Sequence, residues 1–85
     1  MAYTVELKPS AAKALEALPR PDQRRIAARI DTLATDPRPV GVKKLEGEDA
    51  LYRVRVGDYR IVYQIQERRL IVLVVRIAHR RDVYR

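Results

Sequence analysis

Apolar residues alternate with polar ones in some stretches of this chain and recur every three or four positions in others, and these changes of period mark its elements. Tyr3-Thr4-Val5-Glu6-Leu7 alternates and is rich in β-formers, which predicts a first strand. Pro9 and Ser10 open a helical segment with Lys8 or Ser10 as its cap, and Ala11, Ala14, Leu15 and Leu18 fall on one face of it. Pro19-Arg20-Pro21 breaks that helix, and Pro21 with Asp22 suits the first turn of a second. Ile26, Ile30 and Leu33 form its apolar stripe, and Asp36-Pro37-Arg38-Pro39 stops it. So tight a break predicts an antiparallel two-helix hairpin.

After a loop from Pro39 to about Asp49 the period becomes two. Leu51 to Val56 sets Tyr52, Val54 and Val56 on one face and Arg53 and Arg55 on the other. Gly57-Asp58 makes a tight turn into Tyr59–Ile65, where Tyr59, Ile61, Tyr63 and Ile65 face the core while Arg60, Val62 and Gln64 join the arginines. Glu67-Arg68-Arg69 leads into a last strand from Leu70 to about His79. Strict alternation puts Ile71, Leu73, Val75 and Ile77 on one side of it and Leu70, Val72, Val74 and Ala78 on the other. A strand apolar on both sides needs cover on both. The helices supply one, so the other side is either a partly exposed apolar face flanked by arginines or a docking surface for a second chain. The expected architecture is α+β: a strand, the helix hairpin, then a three-stranded antiparallel meander completing a four-stranded sheet, all in a single domain over residues 1–85.

Charge adds a direction. The chain has 85 residues and a net charge of +7. Residues 1–42 carry seven basic and five acidic side chains; residues 43–85 carry eleven and six, and nine of those eleven are arginine. Arginine grips phosphate with a planar fork, so this bias points to nucleic acid ahead of a surface that is merely soluble. An acidic protein partner is the other class that such charge favours. With no cysteine there is no disulfide or zinc–thiolate site, and a reducing compartment suits the chain. The start has no basic segment leading into an apolar run, and the longest apolar run, Leu70–Val75, is too short for a bilayer. A cytoplasmic protein without membrane contact is expected.

Candidate chemistry gathers where arginine is dense. Arg53, Arg55 and Arg60 share one face, and strand parity adds Arg76 and, just past the last strand, Arg80. The competing reading is that they are solvated or paired with Glu46, Glu48 or Asp58. Grouped guanidiniums repel unless an anion lies between them, which is what a phosphate path provides. Lys43, Lys44 and Arg81 extend the cationic set toward a nucleic-acid backbone. His79 is the single histidine and stands beside Arg80; the plain alternative is a histidine capping a strand end. Tyr84 can stack on an unpaired base. No paired carboxylates, glycine-rich phosphate loop or metal-ligand cluster is visible, so neither cofactor nor metal is expected.

The stretch Leu51-Tyr52-Arg53-Val54-Arg55-Val56-Gly57-Asp58-Tyr59-Arg60-Ile61-Val62-Tyr63-Gln64-Ile65 resembles the central hairpin of RelE-type toxins. Ile77-Ala78-His79-Arg80-Arg81-Asp82-Val83-Tyr84 is similar to their C-terminal signature. The order of elements also matches, so the resemblance to the RelE/ParE superfamily covers nearly the whole chain. It implies a RelE-like microbial RNase fold and a toxin of a type II toxin–antitoxin system. The activity it implies is metal-independent endoribonuclease cleavage of messenger RNA in the ribosomal A site, by attack of a 2′-hydroxyl on the adjacent phosphate. Arg53 and Arg55 match the basic residues of the family's second strand, Arg60 the arginine of the third, Arg80 the arginine near the end of the fourth, and Tyr84 the terminal tyrosine. The family's lysines are arginines here, and arginine is a poor general base. Either His79 moves the proton or the arginines act by charge and positioning alone. The partner implied is an acidic, RelB-like antitoxin, partly disordered when free, in a hetero-oligomer. A ParE-like gyrase inhibitor without nuclease activity shares the fold and is the alternative.

Overall fold

The computed structural model describes residues 2–45 and 51–83, with side chains through Arg81. Strand β1 (Thr4–Leu7) is followed by α1 (Pro9–Glu16) and α2 (Arg20–Leu33), then β2 (Lys43–Lys44), β3 (Leu51–Val56), β4 (Tyr59–Gln66), β5 (Ile71–His79) and a closing turn of helix, α3 (Arg80–Val83). The class is α+β, as expected, but the layout is not. Among the described residues the sheet has five strands in the order β1-β5-β4-β3-β2, and β1 runs parallel to β5. The expected four-stranded sheet is therefore replaced by a five-stranded mixed one, within which β3, β4 and β5 form the expected three-stranded antiparallel meander.

Two physical reasons account for the difference. β2 is a pair of lysines with no β-pattern of its own, made a strand only because β3 offers it partners: Lys43 opposite Arg53 and Lys44 opposite Tyr52. β1 docks along Ile71–Val74 of β5, which turns that half of β5 into an interior strand. The expected helix hairpin is not the organising unit either. α1 lies mainly on β5, while α2 meets β1, β3 and α1 to a similar, smaller extent. What joins them is Gln23, whose Nε2 donates to the Leu15 carbonyl at the end of α1. Each helix is thus placed by the strands beneath it.

The buried core fills the space between helices and sheet. Ala11, Ile26, Ile30 and Leu33 meet Val54, Ile61, Tyr63, Ile65, Val72, Val74 and Ile77. Tyr52 and Tyr59 pack at its edge, as their strand parity predicts. Strict alternation along β5 fails. β4 and β5 pair as Ile61↔Ile77 and Val62↔Arg76, but then as Tyr63↔Val74, so Val75 is an extra residue in a β-bulge. Val72 and Val74 on one side of the bulge and Ile77 on the other all reach the core, which unbroken parity forbids. Leu70 is not part of the strand; it sits in the preceding turn at φ 54°.

The segment after α2 crosses the far end of the sheet and is fastened there. The Tyr63 hydroxyl donates to the Pro37 carbonyl at 2.7 Å. Arg38 donates from Nε to the Tyr52 hydroxyl, lies 5.3 Å from the centre of that ring, and pairs with Glu67. Those contacts, the Tyr52 hydroxyl first and Glu67 next, raise the Arg38 pKa above the ordinary guanidinium value. This clasp leads the chain into β2 and so positions Lys43 and Lys44 beside β3.

Candidate nucleic-acid interface

The face of the sheet turned away from the helices is built by register. Arg55 stands directly opposite Arg60, Arg53 opposite Val62, and Val62 opposite Arg76. With Lys43 opposite Arg53, one row runs Lys43–Arg53–Val62–Arg76 across four strands, spanning about 14 Å at ordinary strand spacing. The neighbouring row is Arg55–Arg60–Ala78. Directly opposed like charges such as Arg55 and Arg60 destabilise a sheet, and an anion between them reverses that cost. The bulge belongs to this geometry. By placing one extra residue before Arg76 it brings that arginine outward among the others while Val74 stays in the core.

A pocket of about 220 Å³ opens in the middle of this face, lined by Leu45, Arg53, Arg60, Val62, Arg76 and Ala78. Its floor is apolar and its rim carries three guanidiniums. The combination suits a ligand with a flat or apolar part beside an anionic one, as a nucleotide has. Leu45 and Ala78 were not singled out by the sequence, since nothing in a linear pattern shows that β2 and the end of β5 close over the same spot.

The other predicted residues are placed as follows. Arg80 begins α3, and its backbone N–H donates to the Asp58 carbonyl at 2.7 Å, which sets it beside the β3–β4 turn. Its Nε is 3.9 Å from Asp58 Oδ1, with both side chains more than half exposed, a geometry in which ion pairs contribute little. Arg55 folds over the same turn, donating from Nε to the Gly57 carbonyl. Gly57, at φ +57°, gives the turn its left-handed position, and a Cβ there would meet the Arg25 guanidinium at 2.5 Å. Arg81 is exposed. Lys43 and Lys44 are exposed on β2. Tyr84 and the acidic pair Glu46 and Glu48 lie outside the described residues.

His79 is not brought onto the arginine face. It pairs with Tyr59 in the β4–β5 ladder, and the two rings meet edge to face with centroids 5.1 Å apart. It lines a second cleft of about 630 Å³ with Ala14, Leu18, Tyr59 and Ile77, along the part of β5 that β1 does not cover, and Arg76 and Ala78 border both this cleft and the arginine-face pocket. Among the described residues no group of three His, Cys, Asp or Glu side chains could hold a metal ion, and no helix is long and apolar enough to cross a membrane.

Comparison with known proteins agrees with this architecture. Residues 5–84 match the family model described as the ParE toxin of the type II toxin–antitoxin system parDE. The RelE1 protein of Methanocaldococcus jannaschii is 32% identical over 100% of this chain and 98% of its own length. Toxin RelG of Mycobacterium tuberculosis is 36% identical over 100% and 99%. In the crystal structure of the archaeal RelE–RelB complex from Pyrococcus horikoshii, one chain superposes with a TM-score of 0.83 at 34% identity, covering 94% of this chain and 97% of that one. The chain therefore belongs to the RelE/ParE family of toxins of type II toxin–antitoxin systems, with relatives of RelE type.

Proposed function

We propose that this toxin is a ribosome-dependent endoribonuclease that cleaves messenger RNA in the ribosomal A site without a metal ion. The observation that carries the reading is the set of arginines over one apolar-floored pocket on a face no helix covers. The 2′-oxygen of one nucleotide bonds to the adjacent phosphorus as the bond from phosphorus to the 5′-oxygen breaks. The 2′-hydroxyl gives up its proton and the departing 5′-oxygen gains one, leaving a 2′,3′-cyclic phosphate and a 5′-hydroxyl. Extra negative charge builds on the phosphorus-bound oxygens, and fixed guanidiniums of Arg53, Arg55, Arg60 and Arg80 stabilise it. Tyr84 stacks on the base. Lys43, Arg76 and Arg81 hold the backbone on either side.

Arg60→Ala is expected to lower cleavage on translating ribosomes by about 100-fold, the scale of losing one preorganised charge donor. Primer extension after brief induction reads it, and wild-type cuts should fall at fixed positions within codons. Equal cleavage by the variant would sink the assignment. A second reading, gyrase inhibition without nuclease activity, has its own support, because the matched family model is that of ParE toxins. Arg60, Arg80 and Tyr84 together favour the nuclease. DNA damage with intact messenger RNA after expression would reverse the choice.

The partner follows from the same surface. Solved relatives are complexes of RelE with RelB and of RelBE2. An acidic antitoxin, partly disordered until bound, fits a cationic face with an apolar centre. Toxin and antitoxin would meet as a cytoplasmic hetero-oligomer. Saturating antitoxin should raise the melting temperature by several degrees, since it binds only the folded toxin. An unchanged melting temperature would count against that partner.

A further inference from the structure

His79 carries a hydrogen bond that bears on its role. The backbone N–H of Arg81 donates to His79 Nδ1 at 3.2 Å. Arg81 is the second residue of α3, and His79 immediately precedes the helix. The first N–H groups of any helix lack partners within it. Here the first, from Arg80, is taken by the Asp58 carbonyl, and the second, from Arg81, by the imidazole. The ring thus occupies the place in which Ser, Asn or Asp usually caps a helix.

This use competes with proton transfer. A neutral imidazole has a single ring nitrogen able to accept, and in His79 that nitrogen is Nδ1, already accepting from Arg81. Nε2 then carries the ring proton. The ring also packs edge-on against Tyr59, whose hydroxyl donates to Asp22 of α2, so it is held on the helix side of the sheet. Arg53 and Arg60 gather around the pocket on the other face, and Arg76, at the β5 edge, borders both that pocket and the His79 cleft. We infer that His79 is a positioning residue, the cap that orients the C-terminal turn bearing Arg80 and Arg81, and that it is not the proton-transfer group of the reaction. The inference rests on the proposed nuclease reading for its consequence in cleavage, though not for the cap itself.

The test compares His79→Ala with His79→Asn in the full chain. Both lose the ring contact with Tyr59, but asparagine keeps an acceptor at the height of Nδ1, so the difference between them isolates the cap. Amide hydrogen exchange at Arg81 should be roughly fivefold faster in the alanine variant, the factor a typical cap is worth, and near wild type with asparagine. Cleavage on translating ribosomes should fall in His79→Ala and be largely recovered in His79→Asn. Cleavage as poor in the asparagine variant as in the alanine one, with the Arg81 amide protected, would assign proton transfer to His79 and overturn the proposal. So would unchanged Arg81 exchange in His79→Ala. If wild type cleaves no messenger RNA, the nuclease reading fails alone, and the exchange measurement still decides the cap.

Discussion

Tyr63 is the largest side chain in this fold with no accessible surface, and its hydroxyl is spent on the Pro37 carbonyl. Burial is the main reason its pKa is pushed up to about 12. The neutral phenol is therefore the form that the fold favours. Its contribution to stability is complete below the unfolded value, about 10, and is lost as pH rises through about 12. Unfolding free energy should fall across that window by up to about 1.4 kcal/mol per pH unit for this one proton. Tyr59 shifts in the same direction, chiefly through burial, with Asp22 adding to it. Tyr63→Phe keeps the ring but leaves the Pro37 carbonyl without its donor, at a cost of about 1–3 kcal/mol near neutrality. Denaturant melts from pH 8 to 12 check both points. An alkaline fall as steep in the phenylalanine variant would show that Tyr63 is not its source.

At the scale of elements, Val75 is an extra residue in β5. Deleting Val75 would restore strict alternation. Val74 then stays opposite Tyr63 and Arg76 opposite Val62, now as consecutive pairs, so both halves of β5 keep their register and their faces. The expected change in stability is therefore small, within about 1 kcal/mol of wild type. A urea midpoint far below wild type would contradict this account of the bulge. Arg76→Ala with Val75 intact is the companion variant: it should leave stability nearly unchanged, because the side chain is exposed.

For the whole molecule, the balance of charge matters more than any one cation. The proposed RNA surface takes Arg53, Arg55, Arg60 and Arg76 from three strands and Lys43 from a fourth, while Lys44, opposite Tyr52, falls on the other face of the sheet. Affinity for a single-stranded RNA should therefore fall steeply with salt. Each cation removed from a phosphate contact should lower the slope of log K against log salt by about 0.7. Replacing Lys43 by alanine should thus flatten it by about 0.7, and Lys44→Ala should leave it nearly unchanged. Fluorescence anisotropy at several salt concentrations reads the slope, and a slope unaltered by Lys43→Ala would remove β2 from the interface.

The alternation of Leu51–Val56 and Tyr59–Ile65 was enough to put Arg53, Arg55 and Arg60 on one face, because in a hairpin closed by a two-residue turn parity and register are both local properties. The helices were legible for the same reason: proline starts and apolar spacing act within a few residues. The places of β1, β2, His79 and the first half of β5 were decided in three dimensions. A two-lysine strand exists only through its partner, a parallel edge strand needs β5 already formed, and a bulge is invisible to a pattern that counts by twos. Those non-local choices set which face each side chain of β5 serves. They brought Val72 and Val74 into the core beside Ile77 and gave the His79 ring a helix to cap.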